Sequence, residues 1–166
     1  MAELQWFECC SGQTTEELLS LQAKYRIDSL VLAFEQAIDQ KATRDGDAAL
    51  SQQERVVLAI EALEREVNNG GYEQFFLNSS REFAPMIVQA LISIGCPKTS
   101  KLTKRALDAL GLVNITGEAI EKAMSENSEE RSEELSRCDS SYFAAEEAIA
   151  ARLFAYIRMN QEAIKL

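Results

Sequence analysis

Residues 66–80 read EVNNGGYEQFFLNSS and bring together two vicinal asparagines, a glycine pair, three aromatic rings and two serines. Two chemistries are compatible with such residue types. A serine hydroxyl attacks a carbonyl or phosphoryl centre when a base removes its proton, and a glycine pair lets backbone N–H groups approach a phosphate. Neither is completed here. The chain contains no histidine, and Ser79 and Ser80 have no base at a diagnostic spacing. Phosphate loops open a helix after a strand and commonly add a lysine, whereas NNGG follows a helical stripe with no lysine nearby. What remains on the chemical side is a small-ligand pocket beside Asn69, Tyr72, Gln74 and Asn78, with acid-base work left to carboxylates or tyrosine.

The structural reading of the same residues asks for less. A helix that arrives at Asn68 must stop, and Gly70 and Gly71 adopt the left-handed backbone that closes a helix. Tyr72, Phe75 and Phe76 then recur at helical spacing and bury an aromatic face. Asn69 and Asn78 are expected to satisfy backbone groups at the two bends. A corner explains every residue type in the stretch, so we expect no enzyme here. Metal and cofactor are not expected either: Cys9, Cys10, Cys96 and Cys138 have no zinc spacing, and reduced, unligated thiols are their ordinary state.

The elements that would position this corner are helical throughout. Thr14 with Glu17, and Ser51 with Glu54, have capping-box spacing. The first pair precedes an apolar pattern through Leu18, Leu21, Tyr25, Ile27, Leu30, Val31, Phe34 and Ile38. The second opens a stripe of Val56, Val57, Ile60, Leu63 and Val67 that runs into the motif. Residues 83–94 form an apolar helix with Pro85 in its first turn and Gly95 and Pro97 at its stop. The next helix ends near Gly111 and carries Lys98, Lys101, Lys104 and Arg105 toward its start, where cations oppose the helix dipole. We read that cluster as a surface accident in preference to a partner of distant acids. Thr116 opens a short helix, and Ser140 or Ser141 is expected to cap a last one carrying Phe143, Ile149, Leu153, Phe154, Tyr156 and Ile157. No strand alternation competes. The expectation is a single compact all-α domain of about six to eight helices over residues 1–166, with residues 42–49 and 126–131 as its mobile segments.

Charge narrows the partners. With 17 basic and 27 acidic residues the chain carries −10, which disfavours direct nucleic-acid binding because phosphates are bound by displacing counterions with Lys and Arg. No apolar run reaches the roughly 20 residues of a membrane span, and no basic segment with an apolar core follows Met1, so a cytoplasmic location is expected. The acids are densest in ENSEERSEE, where Glu126, Glu129, Glu130, Glu133 and Glu134 surround Arg131, with Glu118 and Glu121 shortly before.

The pattern EVNNGG-aromatic-x-QFF-x-NS at residues 66–79 resembles the signature of a bacterial all-α domain of unknown function whose members include a DNA-mimic protein. The resemblance extends upstream over residues 51–67 and, more weakly, to LSRCDSSYFAAEEAIAARLFAYIRMNQ at residues 135–161. It implies a protein that displays carboxylates in the manner of DNA phosphates on the DNA-binding surface of a regulator. The residues that carry it, Asn68, Asn69, Gly70, Gly71, Tyr72, Gln74, Phe75, Phe76 and Asn78, are architectural, so imitating acids must lie elsewhere. Glu118, Glu121, Glu126, Glu129, Glu130, Glu133 and Glu134 are the candidates, and their bland alternative is a solvated helix face. The expected function is an acidic protein-binding domain, with a basic partner such as a DNA-binding regulator and no contact with nucleic acid or membrane. An immunity-type inhibitor of a nuclease toxin and an enzyme or small-ligand protein stay open as alternatives, and a homodimer is compatible with all of them.

Overall fold

The computed structural model describes residues 3–166. Among them are eight α-helices and no strand beyond one isolated parallel bridge between Gln5 and Tyr25. The all-α expectation, with six to eight helices, is met. The chain divides into two compact units, one running up to Glu61 and resuming over Ala148–Leu166, the other being Ala62–Glu147.

The first unit contains α1 (Thr15–Ser20), α2 (Ile27–Asp45), the opening turns of α3 (Gln52–Leu77) and α8 (Ile149–Met159), with α2 packed on both α1 and α8. Its apolar positions, Leu18, Leu30, Phe34, Ile38, Val57, Ile60, Leu153 and Ile157, are all buried. Both capping boxes form. Thr14 Oγ1 accepts the Glu17 N–H while Glu17 accepts the Thr14 N–H. Ser51 and Glu54 are joined in the same reciprocal way. The Glu54 carboxylate, fully buried, also accepts Lys41 Nζ at 2.7 Å and the Lys165 N–H at 2.9 Å. Residues 42–45 are the last turn of α2, followed by Gly46 and a 3-10 turn over Asp47–Ala49.

The second unit holds the remainder of α3, a 3-10 turn at Ser79–Phe83, α4 (Ala84–Ser93), α5 (Pro97–Asp108), α6 (Gly117–Ser125) and α7 (Glu129–Ala144). α5 packs against both α4 and α7, and α6 against the 3-10 turn. Leu63, Val67, Tyr72, Phe75, Phe76, Ile87, Leu91, Ile120, Leu135 and Cys138 fill its core.

One helix boundary differs from expectation. Ser140 and Ser141 cap nothing: they lie inside α7, as does Phe143, and α8 starts only at Ile149. The real N-cap of α7 is Ser128, whose hydroxyl accepts the Arg131 N–H, and Glu129 and Glu130 occupy the first turn, where negative charge complements the helix dipole. The acidic run is therefore a helix start. α7 ends where Glu146 takes a left-handed φ of 53°, and the next residue, Glu147, lays its carboxylate on the N-terminus of α5. It accepts the N–H groups of Lys98 and Thr99 and the Thr99 hydroxyl at 2.7 to 3.0 Å. Glu147 thereby offsets the basic residues that crowd that helix start.

Candidate functional site

The corner at residues 66–80 is built around one buried carboxylate. α3 runs straight to Asn69, breaks at Gly70 (φ −155°, ψ 20°) and Gly71 (φ 77°, ψ −175°), and resumes at once with Tyr72. NNGG therefore bends a helix that continues on both sides. The bend folds the second segment back over the first, and Glu66 receives three neutral donors: Gln74 Nε2 at 2.7 Å, Asn78 Nδ2 at 2.8 Å and Ser80 Oγ at 2.9 Å. Burial pushes the Glu66 carboxyl up, but these hydrogen bonds outweigh it and hold the group below the usual carboxylate range.

Each glycine has its own reason. A Cβ on Gly70 would sit 2.1 Å from Gln74 Oε1, so the missing side chain is the space into which the Gln74 amide turns toward Glu66. Gly71 combines a positive φ with a neighbour: its Cβ would meet Asp139 Oδ2 at 2.3 Å. Asp139, on α7, places Oδ1 at 2.8 Å from the Tyr72 N–H and so caps the restarted helix. Tyr72, Phe75 and Phe76 are fully buried, as the spacing predicts. Tyr72 also bonds Thr103 of α5 through its hydroxyl at 2.8 Å and meets the Tyr142 ring of α7 edge-on at 5.9 Å.

Two expectations about the asparagines need correcting. The Asn78 amide donates to the Glu66 side chain, not to the backbone, because the fold-back brings that carboxylate within reach. It is Asn68, not Asn69, whose amide satisfies a carbonyl, that of Glu64 one turn earlier. An open hollow does lie beside the bend, lined by Asn69, Gly70, Glu73, Gln74, Leu77 and Asn78. The amide nitrogens of Gln74 and Asn78, however, are already committed to Glu66.

The seven acidic candidates all fall in the second unit, on α6, α7 and the turn joining them. Arg131 pins that turn: its guanidinium donates to the carbonyls of Ala123, at the end of α6, and Glu126. Three of the seven are ion-paired. Glu121 meets Arg81 at 3.0 Å, Glu133 meets Arg137 at 3.2 Å, and Glu134 is held by both Arg105 and Arg137. Those two arginines keep the Glu134 carboxyl below its ordinary range, Arg105 foremost. The remaining four, Glu118, Glu126, Glu129 and Glu130, are exposed and have no ion-pair partner among the described residues.

The basic cluster is thus less accidental than its position suggests. Arg105 reaches Glu134 from α5, and Lys104 pairs with Asp108 one turn along its own helix at 2.7 Å. Two acids that matter to the corner are missing from the sequence-based candidates: Glu66 as its hub and Asp139 as its cap. Only the E of the EVNNGG pattern signals the first, and α3–α7 packing supplies the second. Among the described residues no group of three or more His, Cys, Asp or Glu is arranged to hold a metal ion, and no helix is long and apolar enough to cross a membrane.

A family model described as DMP19-like protein matches residues 48–160, which span α3 to the end of α8 and include both the corner and the acidic face. No curated protein matches the chain.

Proposed function

The chain belongs to the DMP19-like protein family, and from that premise we propose that it is a non-enzymatic DNA mimic which occupies the DNA-binding surface of a basic regulator. The family takes its name from a DNA-mimic protein. The observation that carries the reading to particular residues is the set of unpaired, exposed carboxylates, Glu118, Glu126, Glu129 and Glu130, around a turn whose carbonyls Arg131 bonds.

Charge density supports it. Glu129, Glu130, Glu133 and Glu134 fall within about 7.5 Å of helix axis at ~1.5 Å per residue, a mean spacing of ~2.5 Å between carboxylates. Duplex DNA carries one negative charge per ~1.7 Å of axis. Arg105 and Arg137 neutralise part of the second pair, so the uncompensated acids lead the contact and Glu133 and Glu134 join it when a partner's cations displace those arginines. The amides of Gln74 and Asn78 and the Ser80 hydroxyl serve Glu66, which favours the mimic reading over the enzyme one.

A competition experiment tests the proposal. A partner recovered at low salt is challenged with its own DNA site; the mimic reading expects the DNA and this protein to exclude one another, each displacing the other as its concentration rises. A complex holding both at once would overturn it. Recovery of a nuclease whose activity is suppressed would favour the immunity-type reading. Changing Glu118, Glu126, Glu129 and Glu130 together to glutamine should weaken binding and flatten its salt dependence. A folded variant with wild-type affinity and salt dependence would exclude this face.

A further inference from the structure

The 3-10 turn that leaves the corner also joins it to the acidic face. Arg81 stands in that turn, next to Ser80, whose hydroxyl bonds Glu66. Its Nη1 donates to the Leu77 carbonyl at 2.7 Å and the Asn78 carbonyl at 3.2 Å, at the end of α3, where a helix's last carbonyls lack N–H donors of their own. Its Nη2 lies 3.0 Å from Glu121 Oε2, in the middle of α6. One guanidinium thus spans the end of one helix and the flank of another. The Arg81 side chain is 17% exposed, against 48% for Arg105 and 61% for Arg137, and its Nε is sealed from solvent. A largely exposed arginine swings off its carboxylate at little cost; this one is enclosed.

The same turn seats α6. Gly117, the first residue of that helix, is buried, and a Cβ there would collide with the Glu82 carboxylate. Ile120 is fully buried one turn on. At the other end of α6, Arg131 of α7 donates to the Ala123 carbonyl at 2.9 Å. Two arginines therefore fasten α6, Arg81 toward the corner and Arg131 toward α7. Glu118 stands in the first turn of α6 and Glu126 is its C-cap, so the seating of α6 sets where these two carboxylates lie relative to Glu129 and Glu130 of α7. We propose, resting on the mimic reading above, that Arg81 is a positioning residue of the acidic face: it ties α6 to the corner, and the corner is the footing from which the acids are displayed.

Charge and position predict opposite effects at this residue. Arg81 weakens the negative field of the face, so if total charge governed binding, removing it would tighten the hold on a basic partner. If Arg81 positions α6, removing it loosens that hold, because the carboxylates lose the spacing that a fixed row of cations meets. Lysine at position 81 separates the two effects further. It keeps the charge and loses the planar fork that reaches two carbonyls and a carboxylate at once.

The full chain is titrated with a stapled helical peptide that carries arginines along one face, the probe for a basic recognition helix. Arg81→Lys and Arg81→Gln should each bind it several-fold more weakly than wild type, and amide hydrogen exchange over residues 117–126 should quicken in both while helix content is kept. The variant with Glu118, Glu126, Glu129 and Glu130 changed to glutamine is the control for the mimic reading. If that control loses binding while Arg81→Lys binds and exchanges as wild type and Arg81→Gln binds more tightly, the face is the contact and Arg81 does not position it, so the proposal alone is overturned. A control that binds as wild type overturns the mimic reading and the proposal with it. Should neither Arg81 variant fold, Glu121→Ala decides by exchange: quicker exchange over residues 117–126 supports the tie, and unchanged exchange overturns it.

Discussion

At the scale of single residues, the two adjacent glycines are not equivalent. Gly71 has a left-handed φ and a backbone-capping carboxylate 2.3 Å from its absent Cβ, so alanine there meets both strain and collision. Gly70 has an extended φ of −155° that any residue adopts, and its obstacle is the far end of the flexible Gln74 side chain. Urea denaturation should find Gly71→Ala destabilised by about 2–4 kcal/mol and Gly70→Ala by about half as much. Equal losses would mean that Asp139 does not govern the bend. Glu66 gives a second prediction. Because its folded carboxyl titrates below the usual range, its contribution is present above the unfolded value and is lost as pH falls through the folded one. Glu66→Gln should therefore cost about 2 kcal/mol at pH 7, with a difference from wild type that shrinks in acid.

At the scale of elements, the chain uses carboxylates to finish helices. Glu147 closes the start of α5, Asp139 the restart of α3, and Glu54 and Glu17 complete capping boxes. Among the described residues other than glycine, Glu146, in the turn between α7 and α8, is the one with a positive φ, 53°. Glu146→Gly should raise the melting temperature, the gain being about 0.5–1 kcal/mol, because glycine occupies that region without penalty. An unchanged or lower melting temperature would mean that the glutamate side chain makes a compensating contact. In α7 the same segment is helix start and charged face. Its Ser128 hydroxyl caps the helix, and Arg131 bonds the end of α6 through the Ala123 carbonyl.

For the molecule as a whole, a charge of −10 is a field with gaps. Four of the seven candidate acids are uncompensated, while Arg81, Arg105 and Arg137 cover the others. If Glu133 and Glu134 join the contact, changing Arg105 and Arg137 together to glutamine should tighten binding to a basic partner several-fold and steepen its salt dependence, as surface ion pairs worth about 0.2–1 kcal/mol each are released. Isothermal titration at two salt concentrations checks this. Unchanged affinity would confine the contact to Glu118, Glu126, Glu129 and Glu130.

Helix content, both capping boxes, the buried face of Tyr72, Phe75 and Phe76 and the acidity of residues 126–134 were all legible in the sequence, because each depends on neighbours three or four residues apart. The bend itself was legible as a glycine pair, though not that helix resumes beyond it. That resumption depends on Asp139, 67 positions away from Tyr72. The same limit applies to the charged surface. Local spacing made all seven glutamates equal, and only packing of α5 on α7 brought Arg105 to Glu134 and left Glu129 and Glu130 uncompensated. Local periodicity writes helices into a sequence, whereas the pairing of a buried or surface charge is decided by which distant helix lies against it.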